Sequence, residues 1–137
     1  MNAAPMTETK IKPYVYVLIR TDIPIEQQLV QTGHAAWEAG QRFPKPDEVA
    51  SLIVLSVPGK DELEAASRRL TEHGIDNYLF YEPDFEMGHS ALATRALTTQ
   101  AERDLLRMYP LYRFSPAMPT LAADKPVLRH GGLRLTA

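Results

Sequence analysis

The chain has 137 residues, of which 45% are hydrophobic, and it contains no cysteine. This length suits one domain with a single core, and the lack of cysteine excludes a disulfide scaffold, a thiol nucleophile, an iron–sulfur cluster and a cysteine-ligated zinc. The longest apolar run, Tyr14–Ile19, spans six residues, whereas a membrane helix needs roughly 18. Residues 1–12 lack the apolar segment of a secretory signal. We therefore expect a soluble, cytoplasmic domain without a membrane partner.

Charge is divided unevenly along the chain. Residues 1–110 carry 11 lysines and arginines against 16 acidic residues, a balance of −5, whereas residues 111–137 have a balance of +3. A nucleic-acid-binding domain usually presents a basic face. The acidic body therefore argues mildly against tight, non-specific nucleic-acid binding, although a local basic patch is compatible with it.

The first predicted elements are a strand and a helix. The β-branched and aromatic run Tyr14–Ile19 predicts a strand that is buried on both faces. Pro24 suits the first turn of a helix over about residues 25–42. Small and apolar residues recur at helical spacing within it and predict a stripe pressed close against a sheet; they are Leu29, Gly33, Ala36 and Gly40.

A second strand, a second helix and a third strand follow. Residues 51–57 predict a strand, and Asp61 with Glu64 predicts a capping box at the start of a helix that Gly74 ends. Residues 75–81 predict a third strand that is rich in aromatic side chains. The apolar stripe of the second helix consists of Leu63, Ala66 and Leu70.

The remaining predicted elements are short. An acidic loop over residues 82–88 leads to a fourth strand at 90–94, and Thr99 with Glu102 predicts a capping box for a helix that Pro110 closes. The order β-α-β-α-β-β-α predicts one small α/β/α domain with a four-stranded mixed sheet, because βαβ units pair in parallel and closely spaced strands pair antiparallel.

This predicted domain spans residues 13–110. Residues 1–12 form an N-terminal extension in this interpretation. Residues 111–137, which contain several prolines and a Gly-Gly pair, form an irregular basic tail.

The first helix has an unusual polar face. Gln27, Gln31, His34 and Glu38 follow one another at i, i+4, i+7 and i+11 and so share a stripe. The Gln31 amide can donate to a carbonyl or an oxyanion, and the His34 imidazole can move a proton near neutral pH. A solvated helix face, or a histidine hydrogen-bonded to Glu38, would give the same pattern. His34 and Glu38 are too few ligands for a metal site, so none is expected.

Carboxylates follow the third strand. Functional groups gather at the carboxyl ends of parallel strands, so Glu82 and Asp84 lie where a base or an orienting carboxylate is expected, near His34. A solvated acidic turn is the alternative. No glycine-rich phosphate loop or G-x-S-x-G motif is present. Aromatic residues favour core or sheet-face positions over a base-stacking platform; they are Trp37, Tyr78, Phe80 and Tyr81.

Three segments together resemble the type II peptidyl-tRNA hydrolase family. They are Ile19-Arg20-Thr21-Asp22, Gln31-Thr-Gly-His34-Ala35-Ala36 and the strand–loop–strand at 75–94. The family has a strand that ends in an R-x-D-like signature and a helix with Q-x-x-H-A, and its small mixed-sheet α/β/α domain matches residues 13–109. The resemblance implies hydrolysis of the ester that joins a peptide to the terminal ribose of tRNA. It implies no metal or organic cofactor, tRNA as the partner and, by analogy, a homodimer.

The sequence departs from the family pattern at three places. The family usually has a lysine four residues before the glutamine of Q-x-x-H-A, where this chain has Gln27. The D-x-G-x-T segment of the family aligns with residues 82–86, so its aspartate is replaced by Glu82 or displaced to Asp84. The following loop is shorter, and Ser90 stands where a second threonine begins the last strand. These departures indicate a divergent branch.

The resemblance also implies roles for individual residues. Gln31 would polarise the carbonyl, and His34, oriented by Glu82 or Asp84, would assist the attacking water. A non-catalytic binding relative of the fold is the first alternative, and a hydrolase of another ester or amide is the second. The residues expected to contact substrate are Arg20, Asp22, Gln27, Ser90 and Arg95.

Overall fold

The computed structural model describes residues 9–113, so most of the predicted N-terminal extension and basic tail lies outside the described residues. The predicted element order is confirmed, and a short fifth strand is added to it. The elements are β1 (Lys10–Arg20), α1 (Ile25–Arg42), β2 (Ser51–Val57), α2 (Lys60–Glu72), β3 (Asn77–Glu82), a 3₁₀ turn (Asp84–Glu86), β4 (Gly88–Thr94), β5 (Leu97–Thr99) and α3 (Gln100–Asp104).

Strand β1 lies inside a mixed sheet of order β2-β1-β4-β3. It pairs in parallel with β2, from Tyr14 opposite Ser51 to Arg20 opposite Val57. It pairs antiparallel with β4, which in turn pairs antiparallel with β3. Strand β5 pairs antiparallel with the N-terminal part of β1. The helical crossover α1 permits the parallel pair, and the short loop after β3 permits the antiparallel one. The carboxyl ends of β1, β2 and β3 therefore meet at one edge.

The two faces of the sheet bury separate apolar clusters. Helix α2 packs on one face over Leu18, Leu55 and Leu92, and its predicted stripe of Leu63, Ala66 and Leu70 is buried. Helix α1 covers the other face, where the strands contribute Val17, Ile19, Ala91 and Ala93. Full burial of a leucine or isoleucine contributes roughly 1.5–3 kcal/mol, so these two clusters hold both helices to the sheet.

The buried face of α1 differs from the predicted one. Leu29 is 63% exposed, and Gly33 and Gly40 are exposed as well, so of the predicted stripe only Ala36 packs against the core under α1. Trp37, expected in the core or on the sheet face, is 70% exposed. The face of α1 that packs on the sheet is instead a stripe that is half polar. Its amide side chains can be buried because they are hydrogen-bonded. That stripe consists of Gln27, Gln31, Ala35 and Ala39.

The predicted helix boundaries hold at two ends. Gly74 follows α2 with φ +83°, a left-handed conformation that glycine adopts at low cost. The Thr99 hydroxyl accepts a hydrogen bond from the Glu102 backbone N–H at 3.2 Å, and the Glu102 carboxylate accepts one from the Thr98 N–H at 2.9 Å. These contacts satisfy backbone donors at the start of α3, which ends at Asp104 and does not reach the predicted end before Pro110.

The predicted capping box at Asp61 is wrong. Helix α2 begins at Lys60 after Gly59, and no side chain caps it. Glu64, the expected second member of that box, instead pairs through Oε2 with the His89 Nδ1 at 2.7 Å. The carboxylate of Glu64 thus contacts β4 and does not cap its own helix.

The segment after α3 closes part of the sheet edge. Leu111 forms an antiparallel bridge with Leu55 of β2. The Ser56 N–H donates to the Pro110 carbonyl and the Tyr112 N–H to the Val54 carbonyl, both at 2.9 Å. The first residues of the predicted irregular tail therefore pair with the sheet. Within residues 9–113, no helix combines the length and apolar character that crossing a membrane requires.

Candidate functional site

A buried polar network lies where α1 crosses the carboxyl end of the sheet. Gln27 and Gln31 come from α1, Glu82 ends β3, and Ser90 belongs to β4. Gln31 and Ser90 are 0% exposed, and Glu82 is 3% exposed. Burying such groups is costly unless each is hydrogen-bonded. Their burial together at one edge of the sheet therefore depends on hydrogen bonds among them.

Gln31 is the centre of this network. Its side-chain oxygen accepts a hydrogen bond from the Ser90 hydroxyl at 2.6 Å. Its Nε2 donates to the Glu82 Oε1 at 2.9 Å and to the Gln27 Oε1 at 3.2 Å. The other oxygen of Glu82 accepts from the Asp84 backbone N–H at 3.1 Å. Both N–H bonds of Gln31 are therefore engaged, and polarising a substrate carbonyl would require the release of one of them.

His34 lies one helical turn beyond Gln31 and is half-buried. Its ring stacks on Phe80 of β3, with 4.6 Å between ring centroids and 5° between ring planes. Phe80 and Glu82 share a face of β3, so the imidazole lies next to the buried network. None of the hydrogen bonds within residues 9–113 joins His34 to Glu82, Asp84 or Glu38.

The remaining predicted partners of His34 are engaged elsewhere or exposed. Glu38 pairs with Arg42 at 3.1 Å, which in turn lies 4.2 Å from the Tyr78 ring centroid. Asp84 is exposed in the 3₁₀ turn. Sequence reasoning missed Phe80 as the ring that holds His34, although strand alternation places Phe80 and Glu82 on one side of β3.

Arg20 links the end of β1 to the loop before β4. Its Nε and one terminal nitrogen donate to the two carboxylate oxygens of Asp22 at 2.7 and 2.9 Å. Its other terminal nitrogen donates to the carbonyls of Met87 and His89, both at 2.9 Å. The hydrogen bonds from Arg20 lower the pKa of Asp22 below its usual value. Arg20 and Asp22 thus lie beside the network, where they fix the loop.

The loop that Arg20 fixes has a strained backbone. Phe85 and Glu86 have φ values of 61° and 53°, in the left-handed region. Such residues cost about 1–3 kcal/mol each and persist only where their surroundings impose them. Here the Asp84 N–H bonds to Glu82, and Arg20 holds the Met87 carbonyl. Phe85 itself is 61% exposed at the tip, next to the network.

Arg95 does not join this site. It follows β4 at the opposite edge of the sheet, where it donates to the Gly74 carbonyl at 3.0 Å and pairs with Glu102 at 2.9 Å. Of the residues predicted to contact substrate, the structure therefore gathers Arg20, Asp22, Gln27 and Ser90 at one edge and leaves Arg95 at the other.

The site offers an imidazole beside a carboxylate–amide–hydroxyl network. A half-buried histidine can exchange protons with water, and the network fixes the helix that carries it. Among the described residues no group of three or more histidine or acidic side chains could hold a metal ion.

Comparison with known proteins identifies the fold. No protein-family model matches the chain, and no curated protein matches it. Among solved structures, the chain is similar to a protein of unknown function from Agrobacterium tumefaciens strain C58, with a TM-score of 0.56 and 13% sequence identity. The match covers 75% of this chain and 99% of that one. At this identity the likeness shows a shared small α/β domain and nothing about activity.

Proposed function

We propose that the chain hydrolyses acyl esters at the sheet edge that carries Gln31, His34 and Glu82, with peptidyl-tRNA as substrate. The supporting observation is the convergence of α1, β3 and β4 on a buried polar network beside a half-buried imidazole. Buried polar clusters at the carboxyl ends of strands are the usual place for chemistry in α/β domains. The choice of substrate rests on the resemblance to type II peptidyl-tRNA hydrolases.

In this proposal His34 is the residue that contacts the reacting atoms. Its imidazole takes a proton from a water molecule as the water oxygen attacks the ester carbonyl. The acyl–oxygen bond then breaks, and the departing ribose oxygen takes the proton back from the imidazole. Stacking on Phe80 fixes the plane of the ring before substrate binds, which reduces the ordering needed in the transition state.

Gln31, Glu82 and Ser90 act as positioning residues in this proposal. Their hydrogen bonds join α1 to β3 and β4, and so they set the height of His34 above Phe80. The bond from Gln31 to Gln27 is longer than its bond to Glu82, at 3.2 against 2.9 Å. The Gln31 amide is therefore held mainly by Glu82 and Ser90.

The test is release of peptide from N-acetyl-aminoacyl-tRNA by the purified full chain. His34→Ala should lower kcat by about 100-fold or more, the usual contribution of a general base. His73→Ala is the matched control, because His73 is exposed at the end of α2 and its Nδ1 faces the Arg69 carbonyl. Equal loss in both variants, or no release by folded wild-type protein, would contradict the proposal.

A second candidate is a binding domain that keeps the fold without catalysis. It is favoured by the environment of Gln31, whose side chain is fully buried and whose amide oxygen and nitrogen both already have hydrogen-bond partners. Retention of tRNA in a gel-shift assay, without release of peptide, would support this candidate. Turnover of a simple N-acetyl-amino-acid ester but not of peptidyl-tRNA would instead identify a hydrolase of another ester, which suits the acidic body.

A further inference from the structure

A cavity lies on the opposite face of the sheet from His34. It has a volume of about 350 Å³ and is bounded by β1, β2 and the segment that includes α3. This volume is within the range of small-molecule sites, roughly 300–1,000 Å³. Its apolar walls include Ile53, Leu55 and Leu106. Polar side chains of its described lining include Gln100, Arg103 and Arg107.

Arg103 on this border is held in a fixed orientation. Its guanidinium carbon lies 3.6 Å from the centroid of the Tyr14 ring, and its Nε donates to the Tyr16 hydroxyl at 2.7 Å. Its two terminal nitrogens donate no hydrogen bond within residues 9–113. A planar cation that is stacked on one ring and anchored through Nε keeps its terminal N–H groups available for a two-point contact with an oxyanion.

A second arginine lines the same cavity as Arg103. Arg107 also lines the cavity, and its side chain is 77% exposed. Lys12 lies 5.9 Å from the centroid of the Tyr14 ring. The acidic group that pairs with Arg107 is Asp104, at 3.5 Å. Asp104 also acts electrostatically on Arg103, so the two arginines leave this border with a net positive charge of one, which favours an anionic ligand in a chain whose net charge is negative.

The cavity also offers aromatic walls. Tyr16 and Tyr109 both line it, and Arg69 donates to the Tyr109 hydroxyl at 3.3 Å, which restrains that ring. Tyr16 is 4% exposed, so an aromatic ring of a ligand would stack on the half-buried ring of Tyr109. The cavity thus combines a partly apolar lining with a preorganised cation.

We propose that this cavity binds a nucleoside 5′-phosphate, with the base against Tyr109 and the apolar wall and the phosphate on Arg103 and Arg107. The site is separate from the network around Gln31, since the two lie on opposite faces of the sheet. The same chemistry is presented by a free nucleotide and by the 5′ end of a nucleic acid.

Calorimetric titration of the full chain with AMP at low salt tests this proposal. Arg107→Gln should weaken binding by about five-fold and Arg103→Gln by about ten-fold or more, the range for charge-assisted hydrogen bonds. Arg68→Gln is the control, because Arg68 is an exposed cation of α2 that does not line the cavity. His34→Ala should leave AMP binding unchanged, which separates this proposal from the hydrolase.

Two further titrations define the ligand. Adenosine and inorganic phosphate should each bind more weakly than AMP, because each lacks one half of the contacts. A 5′-phosphorylated trinucleotide that binds more tightly than AMP would identify a nucleic-acid end as the source, and equal affinity would identify the free nucleotide. Absence of AMP binding by folded wild-type protein would overturn the proposal, as would equal weakening by Arg107→Gln and Arg68→Gln. Arg107→Gln keeps the test valid even if loss of Arg103 disturbs Tyr14 and Tyr16.

Discussion

Replacing Gln31 by leucine removes the centre of the buried network while keeping the volume of the side chain similar. The Glu82 carboxylate loses a charge-assisted hydrogen bond, worth about 1.5–3 kcal/mol, and the Ser90 hydroxyl loses its acceptor, at about 1–3 kcal/mol. Burial of the new apolar side chain offsets about 1 kcal/mol of this loss. We expect the free energy of unfolding to fall by about 1.5–5 kcal/mol, a large part of the stability of a typical domain.

Urea unfolding followed by circular dichroism measures this change. Gln41→Leu is the matched control, because Gln41 is an exposed glutamine of the same helix and should change stability by less than about 0.5 kcal/mol. The double variant with Glu82→Leu should be more stable than the sum of the single losses by at least about 1 kcal/mol, since the carboxylate is no longer buried without its donor. A loss below about 1 kcal/mol in Gln31→Leu, or strict additivity in the double variant, would refute the reasoning.

Three further predictions concern single contacts. Gly74→Ala should lower the free energy of unfolding in urea by about 1–2 kcal/mol. The cost comes from the φ of +83°, since no atom lies within 4 Å of the new Cβ. Gly40→Ala, inside α1, should instead stabilise by about 0.5–1 kcal/mol, and equal effects of the two substitutions would contradict the backbone argument. Thr99→Ala should cost about 1 kcal/mol through loss of the α3 cap, whereas Thr98→Ala should cost less, and the reverse order would be inconsistent with the cap. The pKa of Asp22 is lowered in the folded chain, so the stability that its carboxylate contributes is present above the ordinary pKa of 3.8 and is lost as pH falls below that value. The difference in Tm between wild type and Asp22→Asn should therefore shrink below pH 3.8. A difference in Tm that stays constant with pH would argue against this role of Asp22.

The order of the elements could be predicted because their signals are local. The run at Tyr14–Ile19, the stop at Gly74 and the cap at Thr99 each depend on neighbours within a few residues, and the structure confirms all three. The two-fold and 3.6-fold periodicities that distinguish strands from helices are likewise short-range. A local pattern is therefore sufficient for the α/β class and for the mixed sheet.

The orientation of α1 could not be predicted by the same means. Hydropathy favours Leu29 over Gln31 as a buried residue, yet the reverse is observed. The amide of Gln31 is buried because Glu82 and Ser90, more than fifty residues away in the chain, supply its partners. The expected box at Asp61 fails for a related reason, since the carboxylate of Glu64 is taken by a distant histidine.

The candidate site was predicted in part. The position of Glu82 at the carboxyl end of β3 follows from strand order, and the shared helix stripe of Gln27, Gln31 and His34 follows from helix spacing. Arg95 lies at the other edge because β4 runs antiparallel to β3. Short sequence motifs do not reveal the direction of a strand, so this placement was not predicted. Peptidyl-tRNA as the substrate stays a prediction.

The central place of β1 constrains how the chain acquires its structure during synthesis. This strand leaves the ribosome first among the described elements, yet its neighbours β2, β4 and β5 follow much later. Until residues 88–99 have emerged, one side of the apolar run Tyr16–Ile19 has no antiparallel partner. Because long-range pairing is slow and leaves strand edges exposed, the nascent chain depends on late-synthesised residues to shield its earliest apolar segment from other chains.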